Sequence, residues 1–170
     1  MAATLRANRK AMREWNRKLV LSILRKARTT TRAEIAEQSG LSPAAITHIT
    51  AALARERFLT RAGSAASGGG RKADVLGFNP RARLVLAAVF GEKETRVALL
   101  DLDGAATAEE TFPTSPARGH GEVFGRFAAA AGRLFARKTS ARAGTAALCA
   151  VFEGVVNPGT GTLVLSSRFG

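Results

Sequence analysis

Two helical patterns separated by a tight turn constrain this chain most, in TTTRAEIAEQSGLSPAAITHITAALARERF. Thr31, followed three residues later by Glu34, forms a capping box that starts a helix, and Gly40 can adopt the left-handed conformation that ends one. Ser42 is a second N-cap with Pro43 at the first helical position, so another helix begins after only a turn. This succession predicts a helix-turn-helix.

An amphipathic helix is predicted before this pair, from Trp15, because NRKLVLSILRKA places apolar residues at helical spacing. The second helix is expected at about Arg32 to Ser39. In the third helix Ile46, Ile49 and Leu53 form one apolar stripe. Because this stripe faces a core, the opposite side of the third helix is free to enter a DNA major groove.

The side of the third helix away from the stripe carries Ala44, Ala45, Thr47, His48 and Ala51. Thr47 can bond to a base edge or offer its methyl group to thymine, and His48 can donate to guanine or touch phosphate. The alternative for His48 is an exposed histidine without a role. We predict Thr47 and His48 as the residues that read bases.

A wing is predicted after the third helix, because FLTRAG and VLGFNP (75–80) have strand patterns and GSAASGGGRKAD connects them. At the tip, glycines permit close backbone approach, and Arg71 and Lys72 can enter a minor groove or bind phosphates. A phosphate-binding P-loop is disfavoured, since Gly69 and Gly70 stand where it needs Lys and Ser or Thr. A flexible linker remains the alternative. The complete set of predicted DNA-binding residues is Thr31, Arg32, Ser42, Ala44, Ala45, Thr47, His48, Arg71 and Lys72.

The charge of the chain is strongly asymmetric. The net charge is +13, and residues 1–80 hold 15 Lys and Arg against 5 Asp and Glu. A polyanionic partner is therefore expected, although an arginine-rich proteome is an alternative source of part of the excess. The lone cysteine, Cys149, lies in the apolar run LCAVF, where we expect a buried thiol in a reducing cytoplasm. No signal peptide or membrane span is expected; a mitochondrial presequence at residues 9–18 is a minor alternative.

The succession TRAEIAEQSGLSPAAITHITAALARERFLTRAG, SGGGRKADVLGFNP and VLAAVFGEKETRVALLDLDG resembles the repressor branch of the ROK family of sugar-responsive transcriptional repressors and sugar kinases. The resemblance implies a bacterial regulator that binds a double-stranded operator, associates with the nucleoid, and carries a winged helix joined to a sugar-kinase-like body. It also implies a sugar effector and a homodimer as partners.

The second half fits the start of such a body. Leu84 to Phe90, Thr95 to Asp101, Ala106 to Phe112 and Thr145 to Phe152 have strand patterns, and Val123 to Lys138 is expected to be helical. The predicted fold class is α+β, a winged helix-turn-helix followed by a partial actin- or ribonuclease-H-like α/β lobe. The predicted domains are a basic N-terminal arm (1–14), the winged helix (15–80) and the partial ROK domain (81–170).

Residues that a kinase of this family needs are replaced. The family's Asp-x-Gly-x-Thr phosphate motif matches Val89 to Lys93, where only Gly91 is retained, and its Val-Pro-Gly and Asp-Pro-x-Thr-Gly motifs match Phe152 to Gly154 and Asn157 to Gly161. His120 has no partner ligands for a metal. We expect no catalytic residue, metal or cofactor, and an effector body that is truncated or divergent, with Gly170 as either a natural terminus or the edge of a fragment. The alternatives are a sugar kinase and a winged helix that binds proteins.

Overall fold

A computed structural model describes residues 2–65, 73–114, 120–137 and 144–165. The chain divides into two compact units, Met1–Ala82 and Arg83–Gly170. Helices and mainly antiparallel strands are mixed in each unit, which gives the α+β class that the sequence predicts.

The first unit is a three-helix bundle with a small antiparallel sheet. In the sheet β3 lies between β1 and β2. The elements are α1 (Ala2–Ala27), β1 (Thr29–Thr31), α2 (Arg32–Ser39), α3 (Pro43–Arg55), β2 (Leu59–Ala65) and β3 (Ala73–Phe78). One core joins all three helices to the wing strands and consists of Val20, Leu24, Ile35, Ile46, Leu53, Leu59 and Leu76. The bounds expected for α2 are confirmed.

The first helix is longer than the sequence pattern indicated. We expected it to begin near Trp15, after a basic arm at 1–14, but α1 runs without interruption from Ala2 to Ala27. This segment contains no Gly or Pro and is rich in Ala, Arg and Lys, which are good helix formers. Helix propensity therefore continues the helix beyond the apolar pattern. The three-part domain scheme stays a proposal.

Strand β1 was not expected, because the sequence pattern predicted only a helix cap at Thr31. It pairs antiparallel with β3, with Thr30 opposite Leu76, and Thr30 is buried. Threonine is β-branched and fits a pleated strand well. The strand holds the start of α2 against the wing.

The second unit is a four-stranded sheet covered on one face by a helix, with a separate hairpin. The sheet order is β6-β5-β4-β7, and β7 runs parallel to β4 while the other pairs are antiparallel. A short 3₁₀ turn (Pro80–Ala82) precedes the elements β4 (Leu84–Phe90), β5 (Glu94–Asp101), β6 (Ala106–Pro113), α4 (His120–Arg137), β7 (Thr145–Phe152), β8 (Val155–Asn157) and β9 (Thr162–Leu165). The four expected strands and the expected helix are confirmed.

The core of this unit lies between the sheet and α4. Alternate residues of β4 face α4, and the ring of Phe90 stacks on that of Phe152 with 4.6 Å between centroids. Arg133 of α4 donates from Nε to Oε2 of Glu110 on β6, at 3.0 Å, and this contact ties helix and sheet together. The buried members are Leu84, Leu86, Ala88, Phe90, Val97, Leu99, Phe112, Val123, Ala130, Ala131 and Leu134.

The other face of the sheet is exposed near β7. Val89 and Val151, which are paired across β4 and β7, are 47% and 50% exposed. Leu148 is paired with Leu86 and therefore lies on the α4 face, but it is 60% exposed because α4 packs mainly over β5 and β6.

Our expectation that Cys149 is buried is wrong, because Cys149 is exposed. The physical reason is that Cys149 is paired with Ala87 and so lies on the face of the sheet opposite Phe90 and Phe152, which α4 does not cover. An apolar run therefore does not guarantee burial here.

Candidate nucleic-acid interface

The start of α2 is fixed by the predicted capping box. Thr31 Oγ1 accepts a hydrogen bond from the Glu34 N–H at 3.3 Å, and a Glu34 carboxylate oxygen accepts from the Thr31 N–H at 2.8 Å. The Thr30 hydroxyl donates to the same carboxylate at 2.7 Å. The Thr31 backbone bond, followed by the Thr30 hydroxyl, lowers the pKa of Glu34 below its usual range. The charged carboxylate is thus the form that holds the helix start.

The turn between α2 and α3 also has the predicted geometry. Gly40 has φ of 67°, and its N–H donates to the Ala36 carbonyl at 2.9 Å. Ser42 Oγ then accepts from the Ala45 N–H at 3.3 Å and starts α3. Two caps and one left-handed residue therefore set the direction in which α3 leaves the turn.

Helix α3 presents one face to the core and the opposite face to solvent. Ile46 and Leu53 are fully buried, and Ile49 packs against the same core. The solvent face brings together the residues predicted to lie away from the stripe: Ala44, Thr47, His48 and Ala51 are exposed, and Ala45 is half-buried at the edge of that face. This surface is narrow, and small side chains flank Thr47 and His48. Such a surface can approach the floor of a major groove closely.

Thr47 has a defined orientation on this face. Its hydroxyl donates to the Pro43 carbonyl at 2.9 Å, one turn earlier in α3. In this orientation the hydroxyl oxygen retains lone pairs for a donor, such as an amino group of adenine or cytosine, and the methyl group remains available to thymine.

Arg32 is engaged within the domain. Its Nε donates to Thr50 Oγ1 at 3.2 Å, and its guanidinium lies 3.5 Å from a carboxylate oxygen of Asp74 on β3. Thr50 is buried, and its hydroxyl donates to the Ile46 carbonyl at 2.8 Å. Arg32 therefore connects α2, α3 and the wing, and a DNA contact from it stays a prediction. Thr31 and Ser42 serve as caps; their contacts with DNA also stay predictions.

The two wing strands pair as expected. The β2–β3 ladder has an irregularity between Arg61 and Gly63, where one strand carries an extra residue and bends. The strands approach closely at Gly77, where an added Cβ would lie 2.9 Å from Thr60 Oγ1. The predicted wing-tip residues, Arg71 and Lys72, lie outside the described residues. The structure therefore describes the stem of the wing.

Helix α1 contributes residues beside α3 that the sequence patterns did not single out. A groove between the two helices is lined by Arg13, Glu14, Asn16, Arg17, Ala45, His48, Ile49 and Ala52. The spacing of residues in the sequence indicates this position, because Arg13 and Arg17 are four residues apart and share one face of a helix with Val20 and Leu24. Our apolar pattern began at Trp15 and left Arg13 outside the helix.

Arg17 is fixed by an ion pair. Its guanidinium donates to both carboxylate oxygens of Glu56, at 2.6 and 2.5 Å, and lies 5.8 Å from the centre of the Phe58 ring. The hydrogen bonds with Glu56 raise the pKa of Arg17 further above its ordinary value. Arg17 thus holds α1 against the end of α3.

The second unit carries turns where kinases of the resembled family carry phosphate motifs. The Gly91 N–H donates to the Glu94 carbonyl at 3.1 Å and closes the β4–β5 turn. Asn157 to Gly161, which match the second motif, form a turn in which the Gly161 N–H donates to the Asn157 carbonyl at 2.8 Å. Within residues 2–65, 73–114, 120–137 and 144–165, His, Cys, Asp and Glu do not cluster in groups of three or more that could hold a metal ion.

Among the described helices, none combines the length and the apolar character that crossing a membrane requires.

Residues 16–60 match the family of winged helix-turn-helix DNA-binding domains. The class of the first unit is therefore that of winged helix-turn-helix domains.

Sequence comparison then identifies particular relatives. The chain is similar to the DNA-binding transcriptional dual regulator NagC of Escherichia coli K12, with 34% identity over 83 residues, 49% of this chain. N-acetylglucosamine repressors of Escherichia coli O157:H7 and Shigella flexneri match equally well. The chain covers 20% of the length of each of these curated relatives.

The fold is similar to the crystal structure of a ROK family transcriptional regulator described as a homologue of the Escherichia coli MLC protein. The TM-score is 0.68 at 20% sequence identity, and the match covers 94% of this chain and 40% of that chain. Sequence and fold together confirm the resemblance to ROK family transcriptional regulators.

Proposed function

We propose that this protein is a sequence-specific DNA-binding transcriptional regulator of the ROK type that acts as a repressor. The observation that carries the proposal is the exposed face of α3, where Thr47 and His48 stand among alanines at the end of a capped, left-handed turn. The net charge of +10 in residues 1–80 supports a polyanionic partner.

In this function α3 lies in the major groove, and the wing lies on the minor groove or its phosphates. Thr47 and His48 contribute to sequence choice, whereas Arg71 and Lys72 contribute affinity that does not depend on sequence. The first group therefore sets specificity, and the second sets salt dependence.

The proposal is tested by titrating the full chain against fragments of its own upstream DNA and against random duplex at several salt concentrations. We expect tighter binding to one upstream fragment, and an affinity that falls steeply as salt rises, because cations on the protein displace counterions from phosphates. Binding that is absent, or that does not change with salt, would contradict the proposal.

Substitutions separate the two groups of contacts. Thr47→Ala and His48→Ala should reduce the preference for the operator by about 1–3 kcal/mol per lost base contact and leave binding to random DNA nearly unchanged. Arg71→Ala and Lys72→Ala should weaken binding to both DNAs and make the log–log salt slope shallower by about 0.9 for each phosphate contact. If Arg71→Ala and Lys72→Ala leave the affinity for DNA unchanged, the glycine-rich segment is a linker and not a DNA contact.

A sugar kinase is the disfavoured alternative. The Gly91 amide is used inside the β4–β5 turn, and Val89 stands where the resembled kinases carry a carboxylate. We propose that the protein is not an enzyme; ATP turnover with hexoses would contradict this. The net positive charge also disfavours a winged helix that binds proteins. If DNA failed to compete with a protein bound to this domain, that alternative would be supported.

Control by a sugar and action as a homodimer are further parts of the proposal. Some of the relatives are named N-acetylglucosamine repressors, so N-acetylglucosamine is the first sugar to add to the DNA titration. A shift in operator affinity would support control by this sugar. A stoichiometry of two chains on one palindromic operator would support the dimer, since symmetric half-sites are read by symmetric pairs.

A further inference from the structure

The N-terminal half of α1 lies beside the DNA-reading helix. Arg13 and Asn16 line the groove whose other wall contains Ala45 and His48 of α3. His48 belongs both to this groove and to the exposed face predicted to read bases. Arg13 and Asn16 of α1 therefore border the α3 surface assigned to the major groove.

The two arginines of this groove are in different situations. Arg17 is ion-paired with Glu56 and holds the helices together. Arg13 is exposed, and its Nε donates to the carbonyl of Arg9 in the same helix, at 3.3 Å. The groove also contains the carboxylate of Glu14, but Arg9 and Lys10 precede it as exposed cations on the same stretch of helix.

A guanidinium at the edge of a DNA-reading surface has a suitable partner in the phosphate backbone beside the groove. Arginine binds phosphate through two parallel N–H donors, and more than half of protein–DNA hydrogen bonds go to phosphate and sugar. A helix places residues 9 and 13 on one face, about 6 Å apart along the axis. Exposed cations with this spacing can follow a charged backbone.

We propose that the N-terminal half of α1 binds the DNA backbone that flanks the major groove occupied by α3, with Arg13 as its principal phosphate contact and Arg9 as a second. This inference rests on the proposed function. It adds a third contact surface to the recognition helix and the wing, and it assigns Arg13 to positioning of the protein on the duplex rather than to sequence choice.

The test compares Arg13→Ala with Lys18→Ala in the full chain. Lys18→Ala is a matched control because it removes the same charge from the same helix. Lys18 lines a different groove, together with Trp15, Leu19 and Ser22. Affinities are measured for operator and random duplex over a salt series. Arg13→Ala should weaken binding to both duplexes about equally, several-fold, and reduce the magnitude of the log–log salt slope by about 0.9. Lys18→Ala should change the slope much less.

A second variant and a second readout keep the proposal open to contradiction. Arg13→Lys should retain the wild-type slope, because the cation remains. Hydroxyl-radical footprinting should show that Arg13→Ala loses protection of backbone outside the segment covered by α3. If Arg13→Ala and Lys18→Ala have the same slope and footprint, the α1 contact is overturned while the winged-helix function stands. If the wild-type chain shows no salt-dependent binding to DNA, the proposed function itself fails.

Discussion

Gly40 is the residue on which the direction of α3 depends most directly. Its φ of 67° is the left-handed conformation, which costs other residues free energy because Cβ crowds the neighbouring carbonyl oxygen. An added Cβ at this position would meet no atom within 4 Å. The cost of replacing Gly40 is therefore backbone strain alone.

We predict that Gly40→Ala lowers the free energy of unfolding by about 1 kcal/mol, and that Gly40→Asn lowers it less, since asparagine tolerates this conformation better. Urea denaturation of both variants measures the difference. Equal stability of Gly40→Ala and the wild type would show that the turn can adopt another conformation without cost.

A pH-dependent contribution is expected from Glu34. Its pKa is lowered in the folded state, so its contribution is fully present above the unfolded pKa of about 4.3 and is lost as the pH falls through the folded pKa. Glu34→Gln should therefore be less stable than the wild type at neutral pH, and the difference should shrink below about pH 4. Denaturation of both proteins across this range measures it; a difference independent of pH would exclude the carboxylate charge as the cause.

Among the elements, α1 and α3 are joined mainly by apolar contacts and by one partly exposed ion pair. Arg17 and Glu56 make two hydrogen bonds, with side chains that are 28% and 39% exposed. At this exposure water and salt weaken the attraction considerably. The pair therefore fixes the packing of α1 more than it raises overall stability.

We predict that Glu56→Gln destabilises the first unit by about 0.5–1 kcal/mol, and that the loss becomes smaller at high salt. Glu37→Gln is the matched control, because Glu37 is an exposed acid on α2 and loses the same charge. Chemical denaturation at two salt concentrations separates the variants. A loss from Glu37→Gln equal to that from Glu56→Gln would indicate a general charge effect.

Helices, strands and turns whose sequence signal lies within the element itself were predicted correctly. Caps and the left-handed glycine predicted α2 and the turn, and short apolar runs predicted β4 and β7. Strand β1 depends on pairing with β3, which is more than forty residues away, and no pattern inside Thr29–Thr31 announces such a partner. The place of Arg13 beside α3 was likewise missed, since it follows from packing between helices. Burial of Cys149 was predicted wrongly because the apolar run does not reveal that α4 packs on the opposite face of the sheet.

At the scale of the whole molecule, the two units differ in how completely their apolar residues are covered. The first has a closed core that includes residues from every helix. The second leaves Val89 and Val151 largely exposed on one face of its sheet and Leu148 on the other. Exposed apolar strands near a sheet edge favour association between chains.

We predict that residues 80–170, expressed alone, are marginally stable or aggregate, whereas residues 1–82 unfold cooperatively. Circular dichroism melting and light scattering of the two fragments measure this. A sharp, reversible melt of residues 80–170 without aggregation would contradict the prediction for the second unit.

Because α1 is continuous, the direction and the axial position of Arg13 are set by the number of residues between it and the part of α1 that packs against the core. Each residue of a helix turns by about 100° and advances about 1.5 Å. One alanine inserted after Glu14 would therefore rotate Arg13 by about 100° away from α3. Seven inserted alanines would return Arg13 almost to its original angle, but about 10 Å farther along the axis. The angle of Arg13 about the helix axis and its distance along that axis can thus be changed separately by inserting alanines.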